Sequence, residues 1–160
     1  MIMIYLMIGV CICAADLWCK GKIDYADPKV ARILHRLPRQ LAGGRFRIDC
    51  VHNHGLAFHL FEKHPVLPKL LSAAMFAGIA FLGIPLCFLD GVRQLACLGI
   101  GLLLGGGASN LIDRVKKGYV VDYMNLNFPL VKKIYFNLGD VGILAGCIFI
   151  LISQLLPKKK

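Results

Sequence analysis

Charge is scarce in this chain. Only 18% of its 160 residues are charged, and its nine acids face nineteen lysines and arginines. With 58% hydrophobic residues and a mean hydropathy of +0.67, that scarcity excludes an ordinary soluble domain, whose residues are about one quarter charged. Internal repeats and low-complexity linkers are absent, so residues 1–160 read as one integral-membrane domain. A Gly-Lys-Ser/Thr phosphate loop is missing, as is a nucleotide-binding strand pattern, so the glycine-rich stretch near residue 105 is not a nucleotide site. No cation precedes Asp16, whereas a cleaved secretory signal opens on a cationic segment; the first apolar run reads as a retained helix.

The seven cysteines form no Cys-x-x-Cys pair and no Cys/His ligand spacing. All but Cys50 fall in or at the ends of apolar runs, where they read as small packing residues, with no disulfide expected. The spacing of His52, His54, His59 and His64 fits no strong ligand pattern, so neither a metal nor a cofactor is expected.

What the chain does have is four long apolar runs, at about 1–19, 70–89, 94–112 and 141–157. Each is roughly 17–20 residues, or about 25–30 Å as a helix, close to one hydrocarbon thickness. The expected fold is therefore an all-α membrane protein, a bundle of four transmembrane helices with both termini on one side. The first connection, residues 20–69, contains "RFRIDCV", which alternates as a half-buried strand does. It also contains "DPKVARILHRL", whose Val30, Ile33, Leu34 and Leu37 repeat at helical spacing, as in a short amphipathic helix on a membrane surface or a solvated loop helix. The third connection, residues 113–140, carries most of the polar chemistry. The first and third connections hold fifteen cations against four on the other side (Arg93 and Lys158 to Lys160), and charge counting alone places them in the cytoplasm.

Three acids border the apolar runs: Asp113, Asp122 and Asp140. Acids at the membrane are costly and are kept for function or pairing. Asp113 adjoins Arg114, which suits a salt bridge or a hydrogen-bonding role. Asp122 and Asp140 are flanked by apolar residues. If folding joined them, desolvation and like charge would raise one pKa, and the pair could share a proton as general acid and base on water. Spacing alone does not decide between that chemistry and a proton relay or ion site in a small transporter or scaffold subunit. A lipid phosphatase would want His and Arg clusters or metal-binding acids, which this chain lacks. Asp16 and Lys20, four apart, form an ion pair closing the first helix, and Asn53 stands beside Gly55 in a turn. The small residues from Gly101 to Ser109 suit close helix packing.

Five stretches, "DLWCK" (16–20), "NHGLAF" (53–58), "GGGASNLIDR" (105–114), "GYVVDY" (118–123) and "FNLGD" (136–140), resemble in order the signature blocks of lipoprotein signal peptidase, signal peptidase II. The resemblance covers nearly the whole chain. It departs from the family at Ser109, where glycine is usual, and at Gly139, where alanine is usual. Both are small-for-small changes. The resemblance implies an aspartic endopeptidase that removes signal peptides from prolipoproteins, cutting before the diacylglyceryl-modified cysteine. It implies Asp122 and Asp140 as the catalytic dyad. Asn53, Asn110, Asp113, Arg114 and Asn137 would line or support the pocket, while Asp16 and Lys20 would steady the first helix. It further implies a small extracytoplasmic β-sheet from the first connection, with a surface helix covering the site. The expected partners are the prolipoprotein and membrane lipids, with no nucleic acid, and a monomer suffices. The family places the protein in the bacterial inner membrane with both termini cytoplasmic and the active site at the outer face. That orientation opposes the charge count.

Overall fold

The computed structural model describes residues 2–24, 40–41, 46–56, 60–89, 94–128 and 131–156. Four helices dominate: α1 (Ile2–Ile23), α2 (Leu67–Leu86), α3 (Gln94–Lys116) and α4 (Leu138–Leu155), each long and apolar enough to cross a membrane. The protein is thus an all-α membrane bundle carrying a small antiparallel sheet. The surface helix expected over 27–37 lies outside the described residues.

α3 is the central helix and packs against the other three, whereas α1, α2 and α4 turn most of their apolar side chains outward. An outward face of Met3, Phe81, Leu144 and Leu155 suits lipid rather than water. Glycines set the closeness of the packing. A Cβ on Gly105 would strike the Gly9 backbone across the α1–α3 seam, and one on Gly106 would strike the Gly139 carbonyl across the α3–α4 seam. Backbones in lipid gain contact by this kind of approach, because no hydrophobic drive separates helix from lipid tail.

The helix ends differ from those expected. α1 and α3 each run four residues further, through Lys20 and through Asp113 and Arg114, and α4 starts three residues earlier, at Leu138. Charge was expected to end these helices. Instead their charged residues pair inside the protein, which removes the cost of continuing.

The sheet has the order β1-β2-β3-β4, all antiparallel, from β1 (Gln40–Leu41), β2 (Phe46–Asn53), β3 (Val120–Phe128) and β4 (Val131–Phe136). β2 fulfils the strand read in the first connection. The third connection, expected as a loop, is a hairpin built from β-branched and aromatic residues such as Val120, Val121, Tyr123, Ile134 and Tyr135. Gly118, at φ +83°, takes the left-handed turn that ends α3 and starts this hairpin. The β3–β4 register pairs Met124 with Phe136, so the chain leaves β4 and enters α4 alongside Asp122.

Candidate active site

Asp122 sits on β3 opposite Val51 of β2, and Asn53 lies two residues further along the same strand face. Its carboxylate is buried, at 3% exposure. Asn53 Nδ2 donates to Oδ2 at 3.1 Å and Asn137 Nδ2 donates to Oδ1 at 2.7 Å. Burial, followed by the charge of Asp140, pushes the Asp122 carboxyl up to about 6, while the hydrogen bonds from Asn53 and Asn137 pull the other way.

Asp140 occupies the first turn of α4. Asn137 is the N-cap: its Oδ1 accepts from the Asp140 backbone N–H at 2.9 Å, and Asp140 Oδ2 accepts from the Asn137 backbone N–H at 3.1 Å. This reciprocal capping satisfies donors that a helix start leaves orphaned. Asn137 therefore holds both acids: its side-chain amide bonds the Asp122 carboxylate, its side-chain oxygen caps the Asp140 N–H, and its backbone N–H bonds the Asp140 carboxylate. Asp140 Oδ1 also accepts from Asn110 Nδ2 at 2.8 Å.

Behind these acids lies a fully buried polar cluster. Lys20 Nζ lies 2.6 Å from Asp16 Oδ2 and donates to Asn110 Oδ1 at 2.7 Å and Ser109 Oγ at 3.1 Å. Asp16 also accepts from Ser109 Oγ at 2.6 Å and from Tyr123 Oη at 2.9 Å, and the Tyr123 oxygen in turn accepts from the Leu138 backbone N–H at 3.1 Å. Asp16 and Lys20 are thus more than an ion pair closing α1. Through Asn110 they reach the Asp140 carboxylate, and through Tyr123 the first residue of α4, Leu138.

Asp113 pairs with Lys20 at 3.5 Å and Lys117 at 3.0 Å rather than with its neighbour Arg114, and its Oδ2 accepts from the Val121 N–H at 3.2 Å. It therefore ties α3 to β3 one residue before Asp122. Arg114 Nη2 donates to the Gly55 carbonyl at 2.7 Å, and the Gly55 N–H donates to Asn53 Oδ1 at 3.0 Å, so Arg114 braces the turn that aims Asn53 at Asp122. All nine residues singled out from the sequence fall in this one connected site. Sequence reasoning missed Ser109, Tyr123 and Lys117. Tyr123 lies inside the "GYVVDY" stretch, and in sequence Ser109 is only a small residue in place of glycine, although its hydroxyl bonds both Asp16 and Lys20.

Beside the cluster, an apolar cavity of about 350 Å³ opens between α1, α2 and α3, lined by residues including Leu6, Val10, Leu17, Phe76 and Leu104. Ala108, also on its wall, directly precedes Ser109 and Asn110.

Residues 8–156 match the family model of signal peptidase (SPase) II. The chain belongs to that family. Among signal peptidase II relatives, the lipoprotein signal peptidase of Gloeothece citriformis (strain PCC 7424) is 38% identical over 115 residues, covering 72% of this chain and 69% of the relative. That of Caulobacter vibrioides (strain ATCC 19089 / CIP 103742 / CB 15) is 34% identical over 120 residues, covering 72% and 68%. A solved bacterial membrane enzyme shares the fold at a TM-score of 0.75 and 21% identity, over 98% of this chain and 93% of that one. The chain is accordingly a signal peptidase II, a membrane protease of the lipoprotein-processing class, and the transporter or scaffold alternative is not favoured.

Proposed function

We propose that this signal peptidase II is an aspartic endopeptidase whose dyad is Asp122 and Asp140. The observation that carries the proposal is Asn137, which holds both carboxyls at one buried polar site. Desolvation and mutual repulsion favour one shared proton. One carboxylate then takes a proton from water while the other, protonated, donates to the scissile carbonyl, and the roles reverse as the leaving amine departs. Ser109 is no rival nucleophile, since it is fully buried within the bundle with its hydroxyl enclosed by Asp16 and Lys20.

The substrate is a prolipoprotein cut before its diacylglyceryl-modified cysteine. The apolar cavity along α1, α2 and α3 suits a lipid chain or the signal helix arriving from the bilayer, and its wall at Ala108 belongs to the same turn of α3 that carries Asn110, the partner of Asp140. The enzyme works as a monomer in the bacterial inner membrane, among lipids, with both termini cytoplasmic and the sheet at the outer face. Cations of the sheet side then meet anionic headgroups.

The test is mass spectrometry of products from a prolipoprotein with and without its diacylglyceryl group. The expected result is a new N-terminus at the lipidated cysteine and no cut in the unmodified chain. Equal cutting of both would overturn the assigned substrate.

A further inference from the structure

The histidines fit no ligand pattern in sequence, yet His52 meets a distant carboxylate in the fold. Its Nε2 lies 2.9 Å from Asp24 Oδ1, across 28 residues of chain. Cys50 joins them. The cysteine sulfur, an imidazole nitrogen and a carboxylate oxygen all lie within 4.8 Å of one another.

Several features of the fold assemble this cluster. β2 bulges between Ile48 and Val51, where two residues oppose one on β3. Bulges re-aim side chains, and here Cys50 and His52 converge on Asp24, one residue beyond α1. The His52 ring is held by stacking on Tyr119, with centroids 4.1 Å apart and planes 25° from parallel. The two oxygens of the largely buried Asp24 carboxylate are divided between partners: Oδ1 faces His52, and Oδ2 lies 3.1 Å from Lys117 Nζ. A metal entering between His52 and Asp24 would replace the contact between His52 and Oδ1. Lys117 would stay on Oδ2 and orient the ligand, as partners around metal sites commonly do.

We propose that Asp24, Cys50 and His52 form a zinc site, with water as a fourth ligand. Thiolate, imidazole and carboxylate together suit Zn²⁺, whereas Mg²⁺ and Ca²⁺ prefer all-oxygen shells. Tetrahedral zinc bonds of about 2.0–2.3 Å place ligand atoms roughly 3.3–3.8 Å apart. The widest separation, at most 4.8 Å, must therefore close by up to about 1 Å while the His52–Asp24 pair opens slightly, which is within reach of side-chain rotation at Cys50 and at the partly exposed His52. On binding, the Cys50 thiol gives its proton to solvent and His52 coordinates through a neutral ring nitrogen. Neither Asp122 nor Asp140 is a ligand. The link to the active site is Lys117, which also pairs with Asp113 at 3.0 Å.

The full chain in detergent micelles, titrated first with Co²⁺ and then with Zn²⁺, tests the proposal. One equivalent of Co²⁺ should produce a thiolate-to-cobalt charge-transfer band that Zn²⁺ bleaches. Cys50→Ser should abolish that band, and His52→Gln should weaken binding about ten-fold or more. A band that is absent, or that survives intact in Cys50→Ser, overturns the site and leaves His52 and Asp24 as a hydrogen-bonded pair only. Alkylation of Cys50 in the unmutated protein, followed by mass spectrometry, is independent of any variant's folding. Saturating Zn²⁺ should slow it at least ten-fold while Mg²⁺ leaves it unchanged. Equal rates in both would also overturn the proposal.

Discussion

Asn137 donates its side-chain amide to Asp122 at 2.7 Å, while the carbonyl oxygen of that same side chain caps the helix that presents Asp140. One residue thus couples the strand that carries one acid to the helix that carries the other.

Asn137→Ala should lose both functions. The cap is worth about 0.5–2 kcal/mol, so unfolding in micelles should occur at a lower temperature, together with a loss of turnover. Asn137→Asp keeps an acceptor for the Asp140 N–H but brings a third carboxylate to the pair. It should retain most of the thermal stability and still lose turnover. Full activity in Asn137→Asp would show that the amide bond to Asp122 is dispensable.

Asn53→Ala removes a hydrogen bond that holds the Asp122 carboxyl down against burial and Asp140. The limb of the pH–rate profile that belongs to Asp122, near 6 in the unmutated enzyme, should move to higher pH in this variant. The shift should be visible in kcat as well as kcat/KM. A shift to lower pH contradicts the role given to Asn53.

The same raised carboxyl makes stability depend on pH. Asp122 titrates near 6 when folded against an ordinary value of 3.8, so the folded protein holds this proton more tightly than the unfolded one. Its contribution is fully present below 3.8 and is lost as pH rises through about 6, with a total of up to roughly 3 kcal/mol. Thermal unfolding at pH 4 and pH 7 should show a larger decline in the unmutated protein than in Asp122→Asn. Equal declines would contradict the raised value.

Lys20 is fully buried against Asp16, Asn110, Ser109 and Asp113. Lys20→Met strands the Asp16 charge in the bundle, a change that typically costs about 3–5 kcal/mol. The expected outcome is a large drop in unfolding temperature. A variant as stable as the original would mean that water or another cation already serves Asp16.

Much of this was legible in the chain, for identifiable reasons. The four apolar runs had to be helices, because only a self-satisfied backbone crosses lipid. Their ends were misread at Lys20, Asp113 and Arg114 because sequence shows the charge and hides the partner that neutralises it. The β3–β4 hairpin was missed because residues 113–140 were read for their acids, although Val120 to Tyr123 and Ile134 to Phe136 carried strand propensity. Asp122 and Asp140 were separately visible, but their joining depends on that hairpin and on Asn137. Asp24 and His52 share no spacing that would have linked them, and only the return of β2 beside the end of α1 does so.

The most direct measurement is single-turnover cleavage of a lipidated prolipoprotein by Asp122→Asn and Asp140→Asn, made separately and checked for folding by thermal unfolding. Each variant should insert and fold, and each should lose turnover by at least about a hundred-fold, since each removes one partner of an acid–base pair. Full activity in either folded variant would contradict the dyad.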